Sequence, residues 1–168
     1  MIKLLTALVA KFTWVTALFC LPCSHVSADL QKIDKLKAAY MYNFTKFITW
    51  ESSEAVPTVF CVHKNDELLS FIDALVKSRE KDEVKVVVSD SLDANVCHMT
   101  YLSESDDLAD IHLHSSVLIT GSEQLVDVIP VIRFYIENQK LRFEIDIARA
   151  NELDIKISSK LLQVARIK

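Results

Sequence analysis

Gly121 is the only glycine among 168 residues. A P-loop needs two glycines and a dinucleotide fingerprint three, because backbone N–H groups must approach phosphates closely. Both motifs are excluded. With three prolines beside that glycine, no long flexible linker or disordered tract is indicated. No G-x-S-x-G elbow occurs anywhere, and no C-x-x-C pair follows residue 28, so neither a serine hydrolase nor a low-pKa thiol has support. Basic excess is lacking too. Beyond residue 28, 17 Lys and Arg stand against all 23 Asp and Glu, a formal balance of −6. Phosphate contacts by counterion release need a basic stripe, so nucleic acid is not an expected partner.

Long apolar runs are confined to the N-terminus. Lys3 gives a positive n-region, Leu4 to Leu21 is mostly apolar, and Val26-Ser27-Ala28 offers small residues for cleavage before Asp29. The pattern predicts a cleaved export signal over 1–28 and one domain over 29–168. A retained anchor needs about 20 clean apolar residues, and Lys11 splits the run. A lipoprotein needs a small residue before its acylated cysteine, but Phe19 precedes Cys20 and Pro22 precedes Cys23. After cleavage only Cys61 and Cys97 remain. Two cysteines in an exported chain most simply form one disulfide, worth about 3–4 kcal/mol on the chain-entropy model. The expected location is outside the cytosol, and the mature chain is not expected to be embedded in the membrane.

Residues at intervals of three and four predict a helix over Leu30 to Thr49, with Leu30, Ile33, Leu36, Lys37, Tyr40, Phe44 and Phe47 on its largely apolar stripe. Tyr42 leaves the stripe. Thr58 to Val62 reads as a strand, and Asn65 caps a helix carrying Leu68, Leu69, Ile72, Leu75 and Val76. Further strands are expected at Val84 to Val88, His98 to Leu102 and Val117 to Thr120. Helices are expected from Ser103 to about His112 and over Glu123 to Val128. Val131 to Glu137 and Lys140 to Ile147 form a hairpin around Asn138-Gln139, with Phe143, Ile145 and Ile147 on one face. Ala148 to Leu153 and Ser158 to Ile167 read as the last helices. This order predicts an α/β fold: a mostly parallel sheet with flanking helices, an antiparallel C-terminal hairpin and one disulfide.

Chemistry-bearing residues are sparse. His112-x-His114 lacks a third ligand at metal spacing, so a solvated pair is its plain reading. His63 and His98 each lie near a cysteine, and a bridge would bring them toward each other. Gly121-Ser122 follows a strand and opens a helix, where N–H groups hold anions or a small ligand; an ordinary βα turn is the plain account. Arg133, Arg142, Glu144 and Asp146 form the densest charge pattern on apolar strands. Cross-strand ion pairing explains them plainly; a patch that reads a partner explains them functionally. No catalytic group, metal or cofactor is expected.

Three stretches carry a resemblance. Lys37 to Phe47 reads KAAYMYNFTKF, Val117 to Gly121 reads VLITG, and Ile132-Arg133-Phe134 is followed by LRFEID over Leu141 to Asp146. The last stretch continues through KISSKLL over Lys156 to Leu162 and ends in Ala165-Arg166. Together they resemble the YfiR/HmsC family of periplasmic proteins, over essentially all of 29–168. The resemblance implies a repressor that binds the periplasmic domain of an inner-membrane diguanylate cyclase, lowering cyclic di-GMP and biofilm formation. It also implies a homodimer and a bridge at Cys61 and Cys97. A second bridge known in some members has no counterpart here. Nor do the glycines of the family's G-x-INFV strand, where Val128-Ile129-Pro130-Val131 stands. Tyr42, Arg133, Arg142 and Glu144 are the candidate partner contacts, Gly121 and Ser122 the candidate ligand contacts. The other readings are a ligand-sensing module serving a sensor kinase or transport system, and a periplasmic enzyme.

Overall fold

The computed structural model describes residues 25–50, 57–79, 86–90, 96–103, 116–121 and 129–168. The expected helices at Ser103 to His112 and Glu123 to Val128, the His112-x-His114 pair and residues 1–24 lie outside them.

The chain opens with α1 (His25–Phe44), then β1 (Ile48–Trp50), β2 (Thr58–His63), α2 (Asp66–Ser78) and β3 (Val86–Ser89). Next come β4 (Met99–Leu102), β5 (Val117–Thr120) and the hairpin β6 (Ile132–Glu137) and β7 (Lys140–Ile145). It ends with α3 (Ile147–Glu152), β8 (Ile155–Ile157), α4 (Ser159–Leu162) and β9 (Arg166–Ile167). The main sheet has the order β3-β2-β4-β5-β6-β7-β9, parallel throughout except for the antiparallel β6–β7 pair. This is the α/β fold the strand–helix order predicts.

Strands β4 and β5 are buried at every residue, as parallel strands covered on both faces must be. Phe60, Val62, Met99, Tyr101, Val117, Ile119, Ile132 and Phe134 join the core with Met41 and Phe44 of α1. The ring of Phe44 lies 6.0 Å from that of Phe134 and 5.0 Å from that of Phe143, centroid to centroid. Such offset and edge contacts fix the helix over the hairpin. Asn65 caps α2 as expected, its Oδ1 accepting the Leu68 N–H at 2.9 Å.

Several boundaries differ from the sequence reading, the most telling near the two ends of the domain. α1 stops at Phe44 because Ile48–Trp50 pairs antiparallel with Ile155–Ile157, forming a two-stranded sheet. Tertiary pairing there overrides the helical spacing of Phe47 and Ile48. β7 stops at Ile145 because Asp146 caps α3, its Oδ1 accepting the Arg149 N–H at 2.9 Å. Ile147 therefore belongs to α3 and not to the strand face of Phe143 and Ile145. The last helix is one turn long, capped by Ser158, and gives way to β9 along the edge of β7.

Cys61 and Cys97 are bonded, with Cα atoms 5.8 Å apart, and both are buried. The bridge ties β2 to the start of β4. His98 reinforces it on both sides of one residue. Its backbone N–H donates to the Val59 carbonyl at 3.0 Å, and its Nδ1 accepts the Val59 N–H at 3.1 Å. A His98→Phe variant keeps the ring but strands that N–H. It should lose about 1–2 kcal/mol in urea unfolding; an unchanged midpoint would show that the imidazole contributes nothing.

Candidate functional site

Two polar clusters stand out from the apolar framework. The first lies on the face of the C-terminal hairpin away from α1. The two-residue loop Asn138-Gln139, with φ of 50° and 60°, makes the tight turn that the right-handed strand twist favours. It sets the register that places Arg133 opposite Glu144 and Tyr135 opposite Arg142. Glu144 is buried at 7 % exposure and is gripped from two sides. Its Oε1 accepts from Arg133 Nε and Nη2, both at 2.7 Å. Its Oε2 accepts from Arg166 Nε at 3.0 Å and Nη2 at 2.9 Å. The Arg166 guanidinium also lies 3.8 Å from the centroid of Tyr135. Each arginine thus directs two N–H groups at one carboxylate oxygen, and charge-assisted bonds of this kind are short and strong.

Cross-strand pairing thus accounts for Arg133 and Glu144. Arg166 is the member that sequence reasoning missed, because a helix expected over Ser158 to Ile167 would have carried it away from β7. Arg142 stays exposed on the same face and has no ion pair among the described residues. Tyr42 corrects the reading that it leaves the core stripe. It is 4 % exposed and sits one turn after buried Ala38, so both share the covered face. Its ring carries the Lys46 ammonium at 4.8 Å.

The second cluster lies at the carboxyl ends of β4 and β5. Lys37 reaches from α1 to Tyr101, its Nζ donating to the phenolic Oη at 3.0 Å, and it pairs with Asp34 at 3.1 Å. Gly121 lies beside them. A Cβ there would stand 3.4 Å from the Tyr101 hydroxyl and 3.8 Å from the Lys37 Nζ, in ordinary contact. Its φ is not positive, so neither strain nor crowding demands a glycine. Ser122 lies outside the described residues. Lys37 was legible as a cation inside an apolar stripe, a position that requires a partner.

Burial by itself would push the Lys37 ammonium down, but Tyr101 and Asp34 outweigh it and hold the group above the ordinary lysine value. The sign follows: this stability is complete below the unfolded-state value and is lost as pH rises through the raised folded one. A Lys37→Met variant should cost about 1–2 kcal/mol at neutral pH. Its stability should then fall less steeply than wild type in alkali above about pH 10.5. Parallel curves through that range would contradict the assignment.

His63 and His98 are not brought together. His63 stands beside Leu102 at one end of β2, whereas His98 bonds Val59 near the other. A groove of about 440 Å³ runs between α2 and the carboxyl end of β3, with Asp66, Asp73 and Asp90 in its walls. Asp73 is already held by Lys77 at 2.6 Å. Among the described residues no group of three or more His, Cys, Asp or Glu is placed to hold a metal ion, and no helix is long and apolar enough to cross a membrane.

A family model described as YfiR/HmsC-like, DUF4154, matches residues 34–166. No curated protein matches the chain.

Proposed function

Because the chain belongs to the YfiR/HmsC-like family, we propose that it is a periplasmic repressor that binds the periplasmic domain of an inner-membrane diguanylate cyclase. The observation that carries this reading is the length of the match, which runs from within α1 to the first residue of β9. The reading includes export with cleavage after Ala28, which would trim α1 to begin at Asp29, and a homodimer in solution. The exposed hairpin face bearing Arg142, beside the Arg133–Glu144–Arg166 cluster, supplies the contact surface. An interaction module of this kind acts through different affinities for two states of its partner. It needs no catalytic group.

The test is deletion of the gene in its host, with intracellular cyclic di-GMP as the readout. The level should rise and return when the exported chain is supplied again. No change in a strain that expresses the cyclase would overturn the reading. The second reading, a ligand-sensing module serving a sensor kinase or transport system, draws its support from the Lys37–Tyr101–Gly121 corner. A ligand there would sit at the carboxyl ends of parallel strands, where open α/β sheets bind small molecules. That reading gains if deletion leaves cyclic di-GMP unchanged and Gly121→Glu abolishes a response to a small molecule.

A further inference from the structure

The outer edge of β7 is covered over only part of its length. β9 pairs with Glu144 and Ile145, and the Glu144–Arg166 bridge also occupies the Phe143 carbonyl. Antiparallel pairs alternate between hydrogen-bonded and non-hydrogen-bonded, and a two-residue loop makes its flanking pair, Glu137 and Lys140, a bonded one. Counting from there, Tyr135–Arg142 and Arg133–Glu144 are also bonded pairs. Leu141, Phe143 and Ile145 therefore aim their N–H and C=O groups away from β6. The Ile145 carbonyl agrees with this parity, since it accepts the Lys168 N–H at 3.0 Å. Among the described residues, no strand pairs with the Leu141 N–H and C=O or with the Phe143 N–H. This is an open template for another strand.

The side chains beside that template select what can pair with it. Lys140 and Arg142 are exposed on one face, while Leu141 and Phe143 are buried on the other. On the inner side of Leu141, its cross-strand neighbour Ile136 on β6 is 56 % exposed, so the apolar row Ile136–Leu141 that ends at the β7 edge is open to solvent on its face at Ile136. A second copy pairing twofold through β7 must keep like faces together. The register centred on Arg142 sets Arg142 against itself, and that centred on Leu141 sets Lys140 against Arg142. Both place like charges directly opposite, which is destabilising. A strand with acidic residues toward Lys140 and Arg142, and apolar ones continuing the row of Leu141 and Ile136, meets neither penalty.

From this we infer that the open half of β7 receives an extended segment of alternating acidic and apolar residues from the protein's partner, by strand addition. The inference rests on the repressor reading and assigns the partner's chemistry at its contact. Amide exchange followed by NMR tests it, using labelled mature chain and two probes. One probe is the cyclase's periplasmic domain; the other is a capped hexapeptide alternating glutamate and valine. Both should slow exchange at Leu141 and Phe143. A lysine–valine version should not. The exposed double variant Lys140→Glu/Arg142→Glu should weaken both by roughly tenfold or more.

Equal binding of the cyclase domain by wild type and double variant, with Leu141 and Phe143 unprotected, overturns the inference and leaves the repressor reading intact. Protection by the peptide without any cyclase complex upholds the edge and removes that reading. Failure of both probes removes both. Protection that grows with protein concentration alone assigns the edge to a second copy and overturns the inference.

Discussion

Replacing Cys61 and Cys97 together with alanine is expected to lower stability by about 3–4 kcal/mol. The bridge closes a sequence separation of 36, long enough for a large loss of unfolded-chain entropy. It also joins two strands at a buried point, where Cys61 is 0 % and Cys97 3 % exposed, so the variant adds a small packing defect to the entropic loss. The double replacement avoids leaving a lone buried thiol. For a domain of this size the loss corresponds to a melting temperature about 10 °C lower. Adding dithiothreitol to the wild type should reproduce it. A variant that melts with the wild type would show that the bridge does not stabilise the fold.

Glu144→Gln should be the most damaging substitution on the hairpin. The carboxylate holds two guanidiniums at 2.7–3.0 Å, and an amide removes the charge and turns two donors toward Arg133 or Arg166. Breaking a buried pair from one side costs about 3–5 kcal/mol. Here the Arg133 side chain is 23 % exposed and that of Arg166 47 %, so both regain some hydration. The expected loss is about 2–3 kcal/mol, below the fully buried range. Its distribution is the distinctive part. Arg166 is half of β9, so the amide of Lys168, bonded to the Ile145 carbonyl, should gain exchange rate more than the amides that join β7 to β6. A Glu144→Leu/Arg133→Met pair should recover part of the loss, because the one charge left without its partner, Arg166, is half-exposed and rehydrates. Wild-type stability in Glu144→Gln would mean the two arginines owe nothing to it.

How much of this was legible follows the range of the interactions. Asn65 before an apolar helical run, Asn138-Gln139 between two strands and β-branched Val117 to Thr120 are local signals, and each element formed where they placed it. The pairing of Arg133 with Glu144 followed from the hairpin register alone. The three short strands β1, β8 and β9 were not legible. Each has two or three residues and exists only because a distant segment supplies its partner. Arg166 went unseen for the same reason. Tyr42 was misplaced because one stripe was read where α1 packs against both α2 and β7, which widens its buried arc. Lys37 was counted within an apolar face, and its partner Tyr101 lies 64 residues away.

Repression through direct contact should be reproducible from purified components. The full-length cyclase would be placed in vesicles with its periplasmic domain accessible, and purified mature chain added while cyclic di-GMP synthesis is followed. With direct repression, synthesis falls to a low plateau as the chain saturates its site, and Lys140→Glu/Arg142→Glu requires more protein to reach it. Synthesis that stays constant at saturating chain would rule out repression by contact.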